Sequence, residues 1–541
     1  MSSNRRTALA IIGGFVRPAD HRPHGTWTSS FVLCRALAQN ERYSELDVFL
    51  DEPDHLEDQR VYEIPERRGL RVRPKWELAR GPQAYAVILA ANGEQIGLAP
   101  WTLRPEHDWA PVACSIGTTH SPRQWRNLLV GLASGSIRAT DGFIFKSENA
   151  RQIFRTVWSQ WRERFNFTPA FPDGSTVIGN AVDVDANQRS ERLRADTRRR
   201  LKLGDDDVVF LAFSRLSWGT KGDPLALVSR WRDVATRCPR ARLILSGTAV
   251  ERHLPTELRA LARSAGVGDH VIVLENPYST LPDSRRRLMS AADVFVHLST
   301  GMEEAAPMVV HEAFAHGLPV IATRWAGLPE LVREGENGFL VDTHAVRVDP
   351  ESSRSQFGLA EVTQALRASR AVCCDWEQFL SYVVALQPTE TRTRFGEAAR
   401  RTAASRAPQK VVGEYITFFD EVERSARTHW AATGGDKRSI AAAPLIDLDL
   451  VLGGQGAQPL SEGRRFVLGG VERISWLAVS VPGGELPPDV VKALATLDPH
   501  QSFSLSQWVA FVRQHAQQTP PGSAAAMLAR LIDFGVMKWE S

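Results

Sequence analysis

The sequence predicts an α/β protein of two doubly wound, Rossmann-like domains facing a cleft, with a small C-terminal α+β domain appended. Three observations predict it. Short apolar runs alternate with amphipathic helical patterns in two successive sets, which implies parallel sheets covered on both faces. At 541 residues the chain exceeds one ordinary domain, since roughly 150 residues per domain is usual. A Gly- and Ala-rich stretch, WAATGGDKRSIAAAP, then separates a terminal segment of different character.

In the first set, TALAIIGGFV is a buried strand and HGTWTSSFVLCRALAQN opens with capping residues before turning helical. LDVFL, YAVILAA, PVACSIG and GFIFKS are further strands, and STVIGNAVD closes the half. The second set has strands VVFLAFSRL, ARLILSG, HVIVLE, DVFVHLS, LPVIATRW and GFLV. Between them DPLALVSRWRDVATRC, LPTELRALARSAG, RRRLMSAA and MVVHEAFAHG carry apolar residues at helical spacing. A long helix is expected over Gln409–Arg427. The expected domains are 1–185, 186–405, a closing helix 406–428 packing back on the first domain, a linker 429–444 and an appended domain 445–541. The tail reads as Gly-rich hairpin-like strands followed by LPPDVVKALATL, SLSQWVAFVRQHAQ and SAAAMLARLIDFGVMKWES, three helical patterns and a short strand.

Composition excludes several classes. With 43% hydrophobic and 23% charged residues, the chain is neither mostly disordered, nor collagen-like, nor a multi-pass membrane protein. Lys+Arg of 65 against Asp+Glu of 62 is too balanced for a general nucleic-acid binder. Five cysteines without C-x-x-C spacing give neither a disulfide framework nor a zinc site, which points to a reducing, cytoplasmic location. Arg5-Arg6 before an apolar run imitates an export signal, but VRPADHRPHG follows without an A-x-A-like cleavage site. No apolar run reaches the ~18 residues of a membrane span.

Two segments carry chemistry. In FSRLSWGTKGD, Arg215 and Lys221 follow a strand in a Gly-containing turn before a helix. Two cations beside a helix start suit a diphosphate, although a basic surface turn has the same pattern. In STGMEEAAPMVVHEAFAHG, Glu304 and Glu312 stand eight apart, one in a loop and one about a turn inside the next helix. Such carboxylates can bracket a polyhydroxyl ligand at a sheet's C-terminal edge. Glu303 reads as a solvated acidic residue, whereas Glu312 in an apolar helix needs a partner. Asp205-Asp206-Asp207 imitates a metal-binding D-x-D but reads as the turn entering a strand. His297, His311 and His316 lack Cys or Asp partners at metal spacing and are assigned to packing or polar caps.

At these residues the second domain resembles the donor-nucleotide half of retaining, GT4-like GT-B glycosyltransferases (glycosyl transferases group 1). The resemblance lies in Ser214-Arg215-Leu216, Lys221-Gly222, the Glu304-to-Glu312 spacing, EAFAHGLPVIAT, STVIGNAVD, SAADVFVHLS and GLPELVREGENGFLV, in family order. The first half matches more weakly, through PVACSIGTTHS and GFIFKSENA. The resemblance implies sugar transfer from a nucleotide sugar, UDP- or GDP-linked, with retention and without cofactor or metal. Arg215 and Lys221 would bind the diphosphate and stabilise its charge as it leaves. Glu312 would hold the ribose hydroxyls, and Glu304 would touch the sugar. His120, in GTTHS, would reach the sugar from the first domain. Gly13, Gly14 and Gly25 would form the first strand–helix loop near phosphate or acceptor, and Trp27 in that loop would contact acceptor. Catalytic roles thus fall to His120, Glu304, Arg215 and Lys221.

The chain departs from the family pattern in places. Ala305, Ala306, Pro307 and Met308 stand where the family has G-F-G-L, and Pro307 lacks an N–H, so one backbone donor that the family pattern offers the sugar or phosphate is missing. The segment 345–395 is longer than the usual connection. The tail is similar to winged-helix or PqqD-like peptide-recognition modules, which would make the acceptor a peptide or protein. A glycan or small-molecule acceptor, with the tail used for packing or homo-oligomerisation, is the other expectation. Its seven basic and nine acidic residues argue against nucleic acid. Peripheral membrane contact is left open, as is a non-catalytic recruitment protein built on the same fold. A dinucleotide-dependent dehydrogenase fits less well, because GGFVRPADHRPHG lacks G-x-G-x-x-G.

Overall fold

The computed structural model describes residues 6–13, 25–50, 68–74, 77–78, 84–91, 104, 109–117, 128, 131–132, 136–165, 174–217, 221–275, 283–301, 304–345, 372–433, 465–468, 487–498, 500–517, 527–528, 531 and 537–540. They fall into two compact units. The larger holds two parallel sheets, and the smaller a three-stranded antiparallel one.

The first sheet runs β3-β2-β1-β4-β5-β6-β7. Its strands are β1 (Ala8–Ile12), β2 (Glu45–Leu50), β3 (Leu70–Pro74), β4 (Val87–Ala90), β5 (Val112–Ile116), β6 (Gly142–Phe145) and β7 (Gly174–Val177). β1 is buried along its whole length, as a central parallel strand covered on both faces must be. Helix α1 (Gly25–Ala38) follows β1, and α2 (Glu148–Phe165) follows β6. The turn into β6 is fixed by a buried ion pair, Arg104 Nη1 to Asp141 Oδ1 at 2.5 Å. Asp141 also accepts the N–H groups of Val112 and Arg138, both at 2.8 Å, so neither carboxylate oxygen is idle.

The second sheet runs β10-β9-β8-β11-β12-β13. Its strands are β8 (Val208–Phe213), β9 (Ala241–Gly247), β10 (Val271–Glu275), β11 (Val294–His297), β12 (Val320–Thr323) and β13 (Gly338–Val341), all paired parallel. Strand residues alternate between two cores. Val208 and Phe210 pack with α4 (Pro224–Arg237) and α5 (Leu254–Ser264) around Trp231. Val209, Leu211 and Phe213 pack with α6 (Ser284–Ala291) and α7 (Met308–Ala315). Helix α3 (Glu191–Arg200), which precedes β8, lies against α6. A short α8 (Leu328–Leu331) follows β12.

Part of the long segment 345–395 has a structural use. Residues 346–371 lie outside the described residues, but β14 (Thr343–Ala345) pairs antiparallel with β15 (Val372–Cys374). Helix α9 (Trp376–Ala385) then lays Phe379, Leu380 and Val383 into the Trp231 core. Its Asp375 cap accepts from Gln378 N at 2.9 Å, a start signal present in the sequence. Helix α10 (Thr389–Ser405) follows. Helix α11 (Pro408–Thr433) runs beyond the expected Arg427, through residues read as linker, because HWAAT contains helix formers. Phe418 and Val422 of α11 lie over Gly142 of the first sheet.

In the smaller unit, β16 (Phe466–Leu468) pairs antiparallel with β17 (Ser502–Phe503) and β18 (Met537–Trp539). Helices α12 (Pro488–Leu494) and α13 (Leu505–His515) share a core with these strands around Trp508. α13 starts with a capping box between Ser504 and Gln507. Three helical patterns before a terminal strand agree with this, residues 527, 528 and 531 being helical. No described helix is long and apolar enough to cross a membrane.

Asp141→Ala strands the buried Arg104 guanidinium and orphans two N–H groups, at a cost of about 3–5 kcal/mol. Chemical denaturation should show a midpoint lowered accordingly; an unchanged midpoint would mean that the turn is held by other contacts.

Candidate functional site

Strands β8 and β11 are adjacent in the second sheet, and from them the chain winds in opposite directions. The crevice outside their carboxyl ends is where open α/β sheets bind ligands. After β8 the chain keeps pairing with its neighbour: Leu216 N donates to Thr248 O, and Val250 N to Leu216 O, both at 2.9 Å. This holds Ser214 and Arg215 at the sheet edge. Gly247 is required opposite them, since a Cβ there would lie 1.6 Å from Ser214 O. A pocket at this edge is lined by Ser214, Arg215, Lys221, Gly222, His297 and Leu298, among others. Gly222 has φ +100° and sits against Leu298 O, a conformation and a clearance that only glycine satisfies.

Glu304 is the electrostatic centre of this edge. It is only 2% exposed, and Lys221 Nζ donates to its Oε1 at 2.6 Å. His297 Nε2 lies 3.3 Å from Oε2. Burial pushes the carboxyl up, but the Lys221 ammonium and His297 outweigh burial and hold it well below the usual carboxylate range. An ionised carboxylate only accepts, so the His297 proton resides on Nε2. The Glu304 loop is pinned through its backbone as well. Gly327 N donates to Glu304 O at 3.1 Å, and Trp325 Nε1 to Gly301 O at 2.9 Å. A side chain at Gly327 would collide with Ala305 O, at 1.6 Å from its Cβ.

Glu312, one turn inside α7, is buried and paired with Arg285 Nη1 at 2.8 Å. Burial raises its carboxyl above the ordinary value, and Arg285 opposes that. The partner that burial demanded thus comes from the start of α6. At the other end of α7, His316 caps the helix, its Nδ1 2.9 Å from Glu312 O. Burial takes His316 down to about 4 and His311 to about 3. Among the described residues neither ring nitrogen of His311 has a hydrogen-bond partner. No side chain among the described residues caps the start of α7, where Pro307 is the last residue outside the helix.

The two sheet domains are tied across this site. Ser29 Oγ of α1 donates to Asn180 Oδ1 at 2.5 Å, and Asn180 Nδ2 donates to Ala306 O at 2.6 Å. Arg406 donates to Gly179 O at 2.8 Å and Asn180 O at 3.4 Å, joining the two segments that cross between the domains. The Glu330 carboxylate accepts the N–H groups of Glu148 and Asn149, both at 2.8 Å, so a side chain of the second domain caps the first-domain helix α2.

Lys221 and Glu304 are therefore in contact, with Arg215 lining the same pocket as Lys221. Glu312 is one helical turn beyond Met308, and buried Ala306, half-buried Pro307 and buried Met308 form the entry to α7. Gly13 ends β1 with φ +74° and donates to Phe49 O at 3.1 Å. His120, Gly14 and Glu303 lie outside the described residues. Gly25 and Trp27 were expected in the loop after β1; both instead belong to the first turn of α1, because the helix begins at Gly25. The Trp27 side chain lies outside the described residues. His297, expected to pack, instead bonds Glu304. Seven residues separate them across a strand end and a loop, a spacing that no periodicity marks. Arg285 had no sequence signal beyond its place in an Arg run. Asp207, read as part of a turn, accepts from Gly204 N at 2.7 Å and pairs with Arg242.

Residues 207–349 match the family model described as glycosyl transferases group 1. A D-inositol 3-phosphate glycosyltransferase of Acidothermus cellulolyticus is 32% identical over 200 residues, 36% of this chain and 43% of that protein. A GDP-mannose-dependent alpha-(1-6)-phosphatidylinositol monomannoside mannosyltransferase of Mycobacterium tuberculosis is 32% identical over 190 residues, 34% of this chain and 47% of that one. The chain thus spans less than half the length of each. Among solved structures, Anabaena Alr3699/HepE in complex with UDP superposes with a TM-score of 0.51 at 19% identity, over 77% of this chain and 100% of that one. A glycosyltransferase from Rickettsia africae gives 0.50 at 14% identity, over 77% and 98%. The fold is accordingly the two-domain GT-B arrangement of Rossmann-like sheets.

His311 supplies a pH test. Below its ordinary value of about 6.5 the unfolded chain binds a proton that the folded chain refuses until about pH 3, so stability falls as pH drops through that window. At pH 5 the loss at this residue is about 2 kcal/mol. His311→Leu should lose correspondingly less stability than wild type between pH 7.5 and 5. Parallel pH profiles would show that the ring is protonated in the fold.

Proposed function

We propose that this chain, whose residues 207–349 are a glycosyl transferases group 1 domain, is a retaining glycosyltransferase that uses a nucleotide-diphosphate sugar. The observation that carries the reading is the Lys221–Glu304 contact at the β8/β11 edge, 2.6 Å long, in a pocket shared with Arg215. It sets a cation for a leaving diphosphate beside a carboxylate for a sugar. In this reading Arg215 and Lys221 take the diphosphate. Their preorganised charge stabilises the diphosphate as its bond to the anomeric carbon breaks and the electron pair leaves with it, while an acceptor hydroxyl oxygen bonds that carbon and its proton passes to the departing diphosphate oxygen. Glu304, ionised at neutral pH, accepts hydrogen bonds from the sugar's hydroxyls. Glu312, anchored by Arg285, accepts those of the ribose.

UDP or GDP is the favoured carrier: one relative is named for GDP-mannose, and one structural neighbour holds UDP. The relatives' named acceptors are an inositol phosphate and a phosphatidylinositol mannoside. We therefore take a small polyol or its glycoside as the acceptor class, in preference to a peptide, received by the first domain.

Calorimetric titration with UDP and GDP, and hydrolysis of UDP-glucose and GDP-mannose, test the reading. The wild type should bind one diphosphate and slowly hydrolyse its sugar. Arg215→Ala and Glu312→Ala should each weaken binding by about tenfold or more, the loss of a charge-assisted contact. Diphosphate affinities unchanged in both variants would remove these residues from the site.

A further inference from the structure

We infer that His297 is a positioning residue that holds Glu304 toward the donor's sugar throughout the reaction. The inference deepens the glycosyltransferase reading and rests on it, since that reading assigns Glu304 to the sugar and Lys221 to the diphosphate.

The two oxygens of Glu304 have different partners. Lys221 takes Oε1 at 2.6 Å and His297 takes Oε2 at 3.3 Å. These two partners differ in how firmly they are held. Lys221 stands in a loop on a flexible four-carbon stem, with its side chain 21% exposed. A diphosphate arriving at Lys221 competes for the same ammonium, so the grip on Oε1 weakens when the donor binds. His297 is not shared in this way. It ends β11, whose backbone pairs in register with Ala322 of β12. Its ring is buried and lies parallel to Phe295 on the same strand face, at 6.3 Å and 14°. A short side chain on a fixed strand thus keeps one hydrogen bond on Glu304 while the other is surrendered. Without it, a buried carboxylate losing Lys221 would have to turn or take up a proton.

The geometry also names what Glu304 recognises. A carboxylate oxygen accepts about two hydrogen bonds, and among the described residues each Glu304 oxygen has one donor. One further site on each oxygen remains for a pair of neighbouring hydroxyls. The expected donor sugar carries free vicinal hydroxyls at that position, rather than deoxy or acylated ones.

His297→Phe and His297→Gln in the full chain test this. Phe keeps the ring and its stacking without the donor; Gln restores an N–H near the Nε2 position. The readouts are calorimetric affinity for UDP and GDP, kcat and KM for hydrolysis of UDP-glucose and GDP-mannose, and thermal midpoints. His297→Phe should leave diphosphate affinity within about twofold and lower kcat/KM about 10- to 100-fold, the range for one hydrogen bond to a charged group. His297→Gln should recover most of that loss. Unchanged kcat/KM in His297→Phe would overturn the inference. So would equal losses in diphosphate affinity and kcat/KM, or an active His297→Phe alongside an impaired His297→Gln. If His297→Phe does not fold, His297→Gln with near wild-type kcat/KM supports the role, and with the full loss overturns it. A wild type that binds neither diphosphate would overturn the glycosyltransferase reading itself.

Discussion

A carboxylate removed from water must be paid for by its partners, and Glu304 makes the second sheet's edge answer to that requirement. Leaving such a group unpaired costs several kcal/mol. The Lys221 turn, the end of β11 and the segment 304–307 are therefore mutually dependent: each brings a group that the others need. Lys221 reaches Glu304 only because Gly222 lets the turn close on Leu298 O. His297 reaches it because β11 is registered between β8 and β12. The loop itself stays in place because Gly327 lets the chain after β12 approach Ala305 O. Three glycine- or strand-determined positions thus converge on one ionised group. The depressed carboxyl that results is an acceptor at every physiological pH.

The same loop is coupled to the first domain through a buried polar chain. Ser29, Asn180 and Ala306 O form a continuous relay from α1 to the residue before Pro307. Glu330 reaches across to α2, filling a helix start with a carboxylate supplied by the other domain. Hydrogen bonds of this kind orient without adding much apolar burial. They suit a joint that fixes how the two sheet domains meet.

Much of this organisation was legible in the sequence. Every strand of the second sheet announced itself as an apolar run, because a parallel strand buried on both faces cannot be anything else. Gly- and Pro-bearing segments marked the turns, and the acidic pair stood out because Glu312 interrupts an apolar helix. What sequence reading missed has a common physical cause. His297 and Arg285 acquire their roles from tertiary neighbours at no regular spacing. β3 is an edge strand in an Arg-rich stretch, RVR, with little apolar signal. Helix α2 is rich in Arg and Gln, so its buried stripe of Phe154 and Trp158 is narrow. Trp27 reads as a loop residue because HGTWTSS opens with capping residues, yet the helix already starts at Gly25. The segment before α9 looked like an insertion because its helix follows a vicinal cysteine pair instead of a familiar turn.

The central claim is that the β8/β11 edge receives a nucleoside diphosphate with its sugar against Glu304. A crystal structure of the protein grown with UDP or GDP tests it most directly. The account predicts diphosphate oxygens within hydrogen-bond distance of Lys221 and Arg215, the ribose against Glu312, and His297 still bonded to Glu304. A nucleotide bound away from Lys221, or a Glu304 turned off His297 in the complex, would contradict it.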